Sequence, residues 1–186
     1  MEQYIQLILK VIDNFLSRTN DEENLLLLVN NFNINEKLKN HILMNVIGIC
    51  KVNLDISQAG SYVMQGENYI LKQKSEYYQL LIAFHSMFVD DNIGKGYKLL
   101  SQISSFINNN RQFSPLNIPQ IAADNLEPFF INDKVFSITE ENEIWQKLKI
   151  PYMPTLFYEA GLISIYSPVD FVQKKVAPLK DFHKNL

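Results

Sequence analysis

The run YYQLLIAFHSMF, residues 77–88, constrains the fold more than any other stretch of the chain. Side chains alternate across a strand, so Tyr78, Leu80, Ile82 and Phe84 share one face while Gln79, Leu81, Ala83 and His85 share the other. Both faces are mostly apolar. Such a strand must be covered on both sides, which makes it the central strand of a layered domain. Helices able to supply the cover are legible nearby. Ile5, Ile8, Leu9, Ile12, Phe15 and Leu16 recur at helical spacing and predict an amphipathic helix over residues 2–17. Leu99, Leu100, Ile103, Phe106 and Ile107 form a second stripe that ends at Asn108–Asn110. A third helix can be N-capped by Ser137 or Thr139. Glu140, Glu141 and Glu143 lie in its first turn, where the helix dipole favours anions. Ile144, Trp145 and Leu148 form its buried face, and Pro151 and Pro154 stop it.

The remaining segments read as strands and loops. Leu25–Val29 is five apolar residues before an Asn-rich turn, a length that favours a buried strand and leaves a helix open, and 155–166 is a long strand. Residues 42–56 alternate from Met44 onward. Met44, Val46, Cys50, Val52, Leu54 and Ile56 fall on one face, with Asn45, Lys51, Asn53 and Asp55 on the other. Cys50 is therefore expected to face the core, where a buried thiol is inert. Residues 57–76 suggest a hairpin loop with ribbon strands around Tyr62–Met64 and Tyr69–Leu71. Gly94 and Gly96 flank an expected loop. Pro115 and Pro119 push the residues before them toward extended geometry, so the FSPLNIPQ loop should be fixed. Leu126–Asn132, interrupted by Pro128, reads as an edge strand. The segment after Pro168 is a polar tail, expected as a short helix or as a segment ordered on a partner. The expected fold is a single α+β domain over residues 1–166, followed by a C-terminal tail, 167–186. Its mixed or antiparallel sheet of about four main strands would be covered by about three helices.

Composition narrows the function. The net charge is −3 and Arg18 and Arg111 are the only arginines, which argues against nucleic-acid binding. Cys50 is the only cysteine, so no intrachain disulfide can form. The N-terminus starts with an acidic residue and lacks the basic region of a signal peptide. No uninterrupted apolar run approaches ~18 residues, so no membrane span is expected. These features fit a cytoplasmic protein.

No motif for nucleotide, zinc, disulfide or acyl chemistry is present. In Gly94-Lys95-Gly96 the lysine is followed by a glycine and Tyr97, where a phosphate loop enters its helix through Ser or Thr. His41, His85 and His183 lie at no metal-ligand spacing from one another or from Cys50. His85 reads as a hydrogen-bonded structural histidine. Asp90 and Asp91 read as a solvated strand end, and helix-cap electrostatics accounts for Glu140, Glu141 and Glu143. An enzyme using His85, Asp90 or Asp91 would need a nucleophile–base spacing that the sequence does not show. No catalytic residue, metal or cofactor is expected.

The region 75–165 carries a resemblance. An apolar strand precedes a Tyr-containing helix, GYKLLSQISSFINNN, and then a loop in which Phe113, Pro115, Asn117 and Pro119 occur in fixed order. Next come Ile144, Trp145, Leu148, Tyr152, Pro154 and Tyr158. This order resembles the cap, or tail-terminator, proteins of phage-tail-like contractile injection systems such as the antifeeding prophage. Ser114 stands for the family's Thr, Thr155 for its Ser, and Lys149-Ile150 where Gly often stands. The resemblance implies a small terminator domain, six copies of which form a ring on the inner tube and contact the last sheath layer. It implies a structural role in bacteria, on the assembled particle: ending tube and sheath polymerisation and stabilising the extended sheath. A second cap paralogue between ring and tube stays open. The motif residues Phe113, Pro115, Asn117, Pro119, Trp145, Pro154 and Tyr158 are expected to hold the fold. Exposure arguments nominate Tyr62, Tyr69, Phe171, Val172 and Phe182 as partner contacts. The alternative is a non-catalytic interaction adaptor outside any injection machine.

Overall fold

A computed structural model describes residues 1–29, 38–52, 62–65, 68–71, 76–149, 151–165 and 172–174; for the short strands at 62–65, 68–71 and 172–174 it describes the backbone course. The central strand is β5, Glu76–Ser86. It pairs antiparallel with β2, Ile42–Val52, on one side and with β8, Thr155–Ile165, on the other. Beyond β2 lies β1, Leu26–Leu28, in parallel register. Beyond β8 lie β7, Phe129–Asp133, and the two-residue β6, Gln112–Phe113. The mixed sheet thus has six strands in the order β1-β2-β5-β8-β7-β6. The strand count exceeds the expected four: β1 falls within the Leu25–Val29 run, and the two-residue β6 is too short to stand out in sequence.

Both faces of β5 are covered. Leu80, Ile82 and Phe84 pack with α1, Glu2–Asn20, and α2, Ile93–Asn109. Tyr4, Leu7, Ile8, Ile12 and Leu16 are the buried side of α1; Leu99, Leu100, Ile103 and Ile107 are that of α2. A row of rings extends this core, running Phe15, Phe106, Phe113, Phe129 and Tyr4, with neighbouring centroids 4.8–6.5 Å apart. A short fourth helix, α3, Gln120–Ala123, buries Ile121 there. On the opposite face Ala83 packs with Leu43, Met87, Met153, Phe157 and Trp145. Trp145 comes from α4, Ile138–Leu148, whose start is set by a capping box. Ser137 Oγ accepts from Glu140 N, and the Glu140 carboxylate accepts from Ser137 N. These bonds hold the Glu140 carboxyl below its usual value, first through the Ser137 backbone and then through its hydroxyl.

His85 lies within this second core, fully buried, its ring 5.3 Å from that of Trp145. Thr155 Oγ1 donates to Met153 O at 2.9 Å and so accepts from His85 Nδ1–H at 2.8 Å. Burial lowers the His85 pKa from 6.5 to about 4.

Four expectations change. Cys50 is exposed. Val46 pairs with Ile82 and Gly48 with Leu81, which leaves Ile47 as a bulge. One extra residue reverses the alternation, so Cys50 leaves the Met44–Val46 face and pairs with Gln79. Val52 moves with it, while Leu54 and Ile56 lie outside the described residues. Gly94 and Gly96 belong to the first turn of α2 rather than to a loop. A Cβ on Gly96 would sit 2.1 Å from Ser86 Oγ and 2.9 Å from Phe88 Cβ, so the glycine lets the helix press against the end of β5. The strand beginning at Leu126 starts only after Pro128 and is not the sheet's outer strand, because β6 pairs with it. In the tail, Val172–Lys174 form a strand, β9, where a helix was one expectation.

Three outcomes follow for solution measurements. In urea unfolding, Gly96→Ala should cost about 1–3 kcal/mol through overpacking. Gly94→Ala, with open space around it, should be neutral or stabilising by up to about 1 kcal/mol; equal costs at the two sites would refute the close-approach account. The Cys50 thiol should react with a thiol reagent in native protein, and protection until unfolding would place it back in the core. As pH falls, the unfolded chain protonates its histidine near 6.5 before the folded chain does near 4. Stability present above pH 6.5 is therefore lost on acidification, by about 2 kcal/mol between pH 7 and pH 5 from this residue. His85→Gln should flatten that slope, and an unchanged slope would remove His85 as its source.

Candidate functional site

Among the described residues, those with chemical potential are dispersed. His85 is buried between β5 and α4. Asp90 and Asp91 are exposed on a 3-10 turn, Asp90–Asn92, that leads into α2. Glu140 is engaged by Ser137, and Glu143 lies 3.9 Å from Lys147 one helical turn on. No cluster of three His, Cys, Asp or Glu that could hold a metal ion occurs among the described residues. No described helix is long and apolar enough to cross a membrane.

The motif residues divide by burial. Phe113 is fully buried in the ring row. Trp145 is buried on β5, its ring 5.6 Å from that of Tyr152. Tyr158 is buried against Phe84, and burial raises its phenol pKa. Pro154 O accepts the β5 terminal amide from Ser86 at 2.9 Å. Asn117 ties the proline loop: its Oδ1 accepts from Ser114 N at 2.9 Å, and its Nδ2 donates to Gln112 O at 2.6 Å. Pro115 and Pro119 are exposed on either side of it.

The same stretch also exposes apolar side chains, of which the sequence pattern singled out Tyr152 alone, as a motif residue. Leu116 is 97% exposed at the tip of the proline loop. Val135, Ile138 and Tyr152 are largely exposed near α4. Tyr97 and Tyr152 line a groove of about 480 Å³ between α2 and the start of β8, with Pro154 in its wall. Their signal in sequence is faint. Leu116 follows a proline inside a turn, which puts it at a tip, and Tyr97 falls off the buried stripe of α2.

The nominated contacts come together in part. Tyr62 lies in β3, Tyr62–Gln65, and Tyr69 in β4, Asn68–Leu71. The two strands form an antiparallel hairpin in which Tyr62 pairs with Leu71 and Tyr69 with Met64. Strand β9 then pairs with β4, Tyr69 opposite Gln173 and Ile70 opposite Val172. The hairpin and the tail, separated by about a hundred residues of chain, thus form one three-stranded sheet with β3 and β9 as its outer strands. Outer strands carry backbone groups able to pair with another chain. Phe171 and Phe182 lie outside the described residues.

Comparison with known proteins identifies relatives of this fold. Residues 53–177 match the profile of the Pvc16 N-terminal domain, more than half of the chain. A search of curated proteins gives no match. Among solved structures, the PVC sheath/tube terminator of an extracellular contractile injection system, in its extended state, is similar with a TM-score of 0.61 at 13% identity. That match covers 98% of this chain and 62% of the other. The tube-terminating cap of the anti-feeding prophage is similar with a TM-score of 0.59 at 14% identity, over 97% of this chain and 59% of the other. The chain thus spans about three fifths of the length of the terminators it matches. It belongs to the Pvc16 N-terminal domain family.

Proposed function

We propose that this chain acts as a structural cap of a contractile injection system. It ends growth of the inner tube and sheath and stabilises the extended sheath. The observation that carries this reading is the fold shared along nearly the whole chain with a sheath/tube terminator and a tube-terminating cap. The working form is a ring of six copies on the particle in the bacterial cytoplasm, bound to inner tube and sheath protein, with room for a second cap paralogue. Residues 1–166 form the body of the cap, and 167–186 is a tail whose strand β9 joins the hairpin sheet.

Rings suit this task because a polymer end presents unpaired subunit surfaces, which a partner of matching symmetry can saturate. The outer strands β3 and β9 are the proposed means of joining neighbours, by strand addition, with Tyr62, Tyr69, Phe171, Val172 and Phe182 as contact residues.

Purified protein mixed with polymerising tube protein should shorten the tubes as its concentration rises and co-sediment with their ends. A strict monomer that associates with neither tube nor sheath ends would contradict this reading. Recovery of one unrelated partner in its place would favour the adaptor alternative.

A further inference from the structure

The motif region exposes one apolar feature that projects and another that is hollow. Leu116 projects, 97% exposed at the tip of the proline loop. Pro115 fixes the backbone before it, and Asn117 closes the turn behind it through Ser114 N and Gln112 O. The Ser114 carbonyl also accepts from Ile118 N at 2.8 Å, and the Ile118 side chain is buried. The tip is thus preorganised, and little freedom is lost when it is covered.

The hollow is the groove of about 480 Å³ between α2 and the start of β8. Leu100 is buried and Leu156 half-buried, and they form its floor. Tyr97 and Tyr152 stand at its rim, 54% and 73% exposed. The Tyr152 ring rests on the buried Trp145, so that wall is also fixed. Grooves walled by aromatic rings accept proline-containing segments, and tyrosine is enriched among the residues that carry binding energy at interfaces.

The chain itself carries a segment that fits. No charged residue lines the groove, and residues 114–119, Ser-Pro-Leu-Asn-Ile-Pro, carry no charge. Like charges brought together across an interface are costly, and copies of a chain with net charge −3 avoid that cost where an uncharged tip meets an uncharged groove. The tip does not fill the groove of its own copy. None of the loop's residues lines it, and Leu116 is left in solvent. Ser101, in the groove, and Asn109, the last residue of α2, are about 12 Å apart along the helix axis, and the loop lies beyond that end. A knob and a hole at different places on one chain make a head-to-tail contact, and head-to-tail contacts close into rings when the rotation allows.

We infer that the Pro115–Leu116 tip of one copy of this chain seats in the Tyr97–Tyr152 groove of the next copy. The inference rests on the cap reading for its setting, and it adds a side-chain contact to the strand pairing proposed between neighbours. Cysteine cross-linking of the full chain tests it. One copy carries Leu116→Cys and the other Ser101→Cys, both with Cys50→Ser, all at exposed positions. Mixed in air and read on non-reducing gels, they should form the mixed dimer at least tenfold faster than Leu116→Cys does with Gln3→Cys, an exposed position on α1 outside the groove. Tyr97→Ser in the Ser101→Cys copy should remove that advantage and leave the melting temperature unchanged. Equal rates for the two pairings, faster pairing of Leu116→Cys with itself, or a rate that ignores Tyr97→Ser would overturn the proposal. No tube or sheath protein is present, so such a failure leaves the cap reading to the tube-shortening assay. Specific cross-linking by a chain that does not shorten tubes would keep this contact and refute the cap.

Discussion

The structure depends on burying both faces of β5. A strand of this kind cannot sit at an edge or face water, so its hydrogen-bonding sides must be filled by β2 and β8 and its faces by helices. Leu80, Ile82 and Phe84 bind it to α1 and α2; Ala83 and His85 bind it to α4 through Leu43, Phe157 and Trp145. A polar residue inside such a layer needs a partner, and the Thr155 hydroxyl supplies one for His85. The close approach of α2 at Gly96 belongs to the same constraint, since the helix can cover the end of the strand only where no side chain intervenes.

Much of this was legible in the chain because both periodicities are clean at the centre. The two faces of residues 77–88 are the observed faces. Of the apolar stripes, Ile8, Ile12 and Leu16 of α1 and Leu99, Leu100, Ile103 and Ile107 of α2 are buried, while Ile5, Leu9, Phe15 and Phe106 are half-buried and Tyr4 and Leu7 join the buried side of α1. Of the two caps the sequence offers, Ser137 and Thr139, the structure uses Ser137. Failures occurred where a local irregularity overrides a period. The bulge at Ile47 has one signal, the neighbouring Gly48 inside a strand, which the alternation alone passes over, and it reverses the assignments of Cys50 and Val52. In β8 a similar shift near Gly161 keeps Ala160 and Ile163 in the same core. Gly94-Lys95-Gly96 reads as a loop by residue type, but packing against Ser86 and Phe88 makes it helix.

The surfaces were less legible than the fold. Hairpin and tail could be nominated separately, but their union through β4 and β9 is a long-range pairing that no local pattern reports. The motif stretch carries buried anchors such as Phe113 and Tyr158 among exposed residues such as Leu116 and Tyr152, so it cannot be treated wholly as core. Side-chain order in the sequence shows the family motif, whereas exposure depends on how the loop turns, and that turn is set by Asn117 bonding back to Gln112 and Ser114.

Membership of the Pvc16 N-terminal domain family and the shared terminator fold give these surfaces a setting. Electron microscopy of injection particles from cells lacking this gene tests that account most directly. It predicts sheaths and tubes of uncontrolled length, restored to a single length by the wild-type chain. Particles of normal, uniform length and intact extended sheaths in the deletion strain would contradict it.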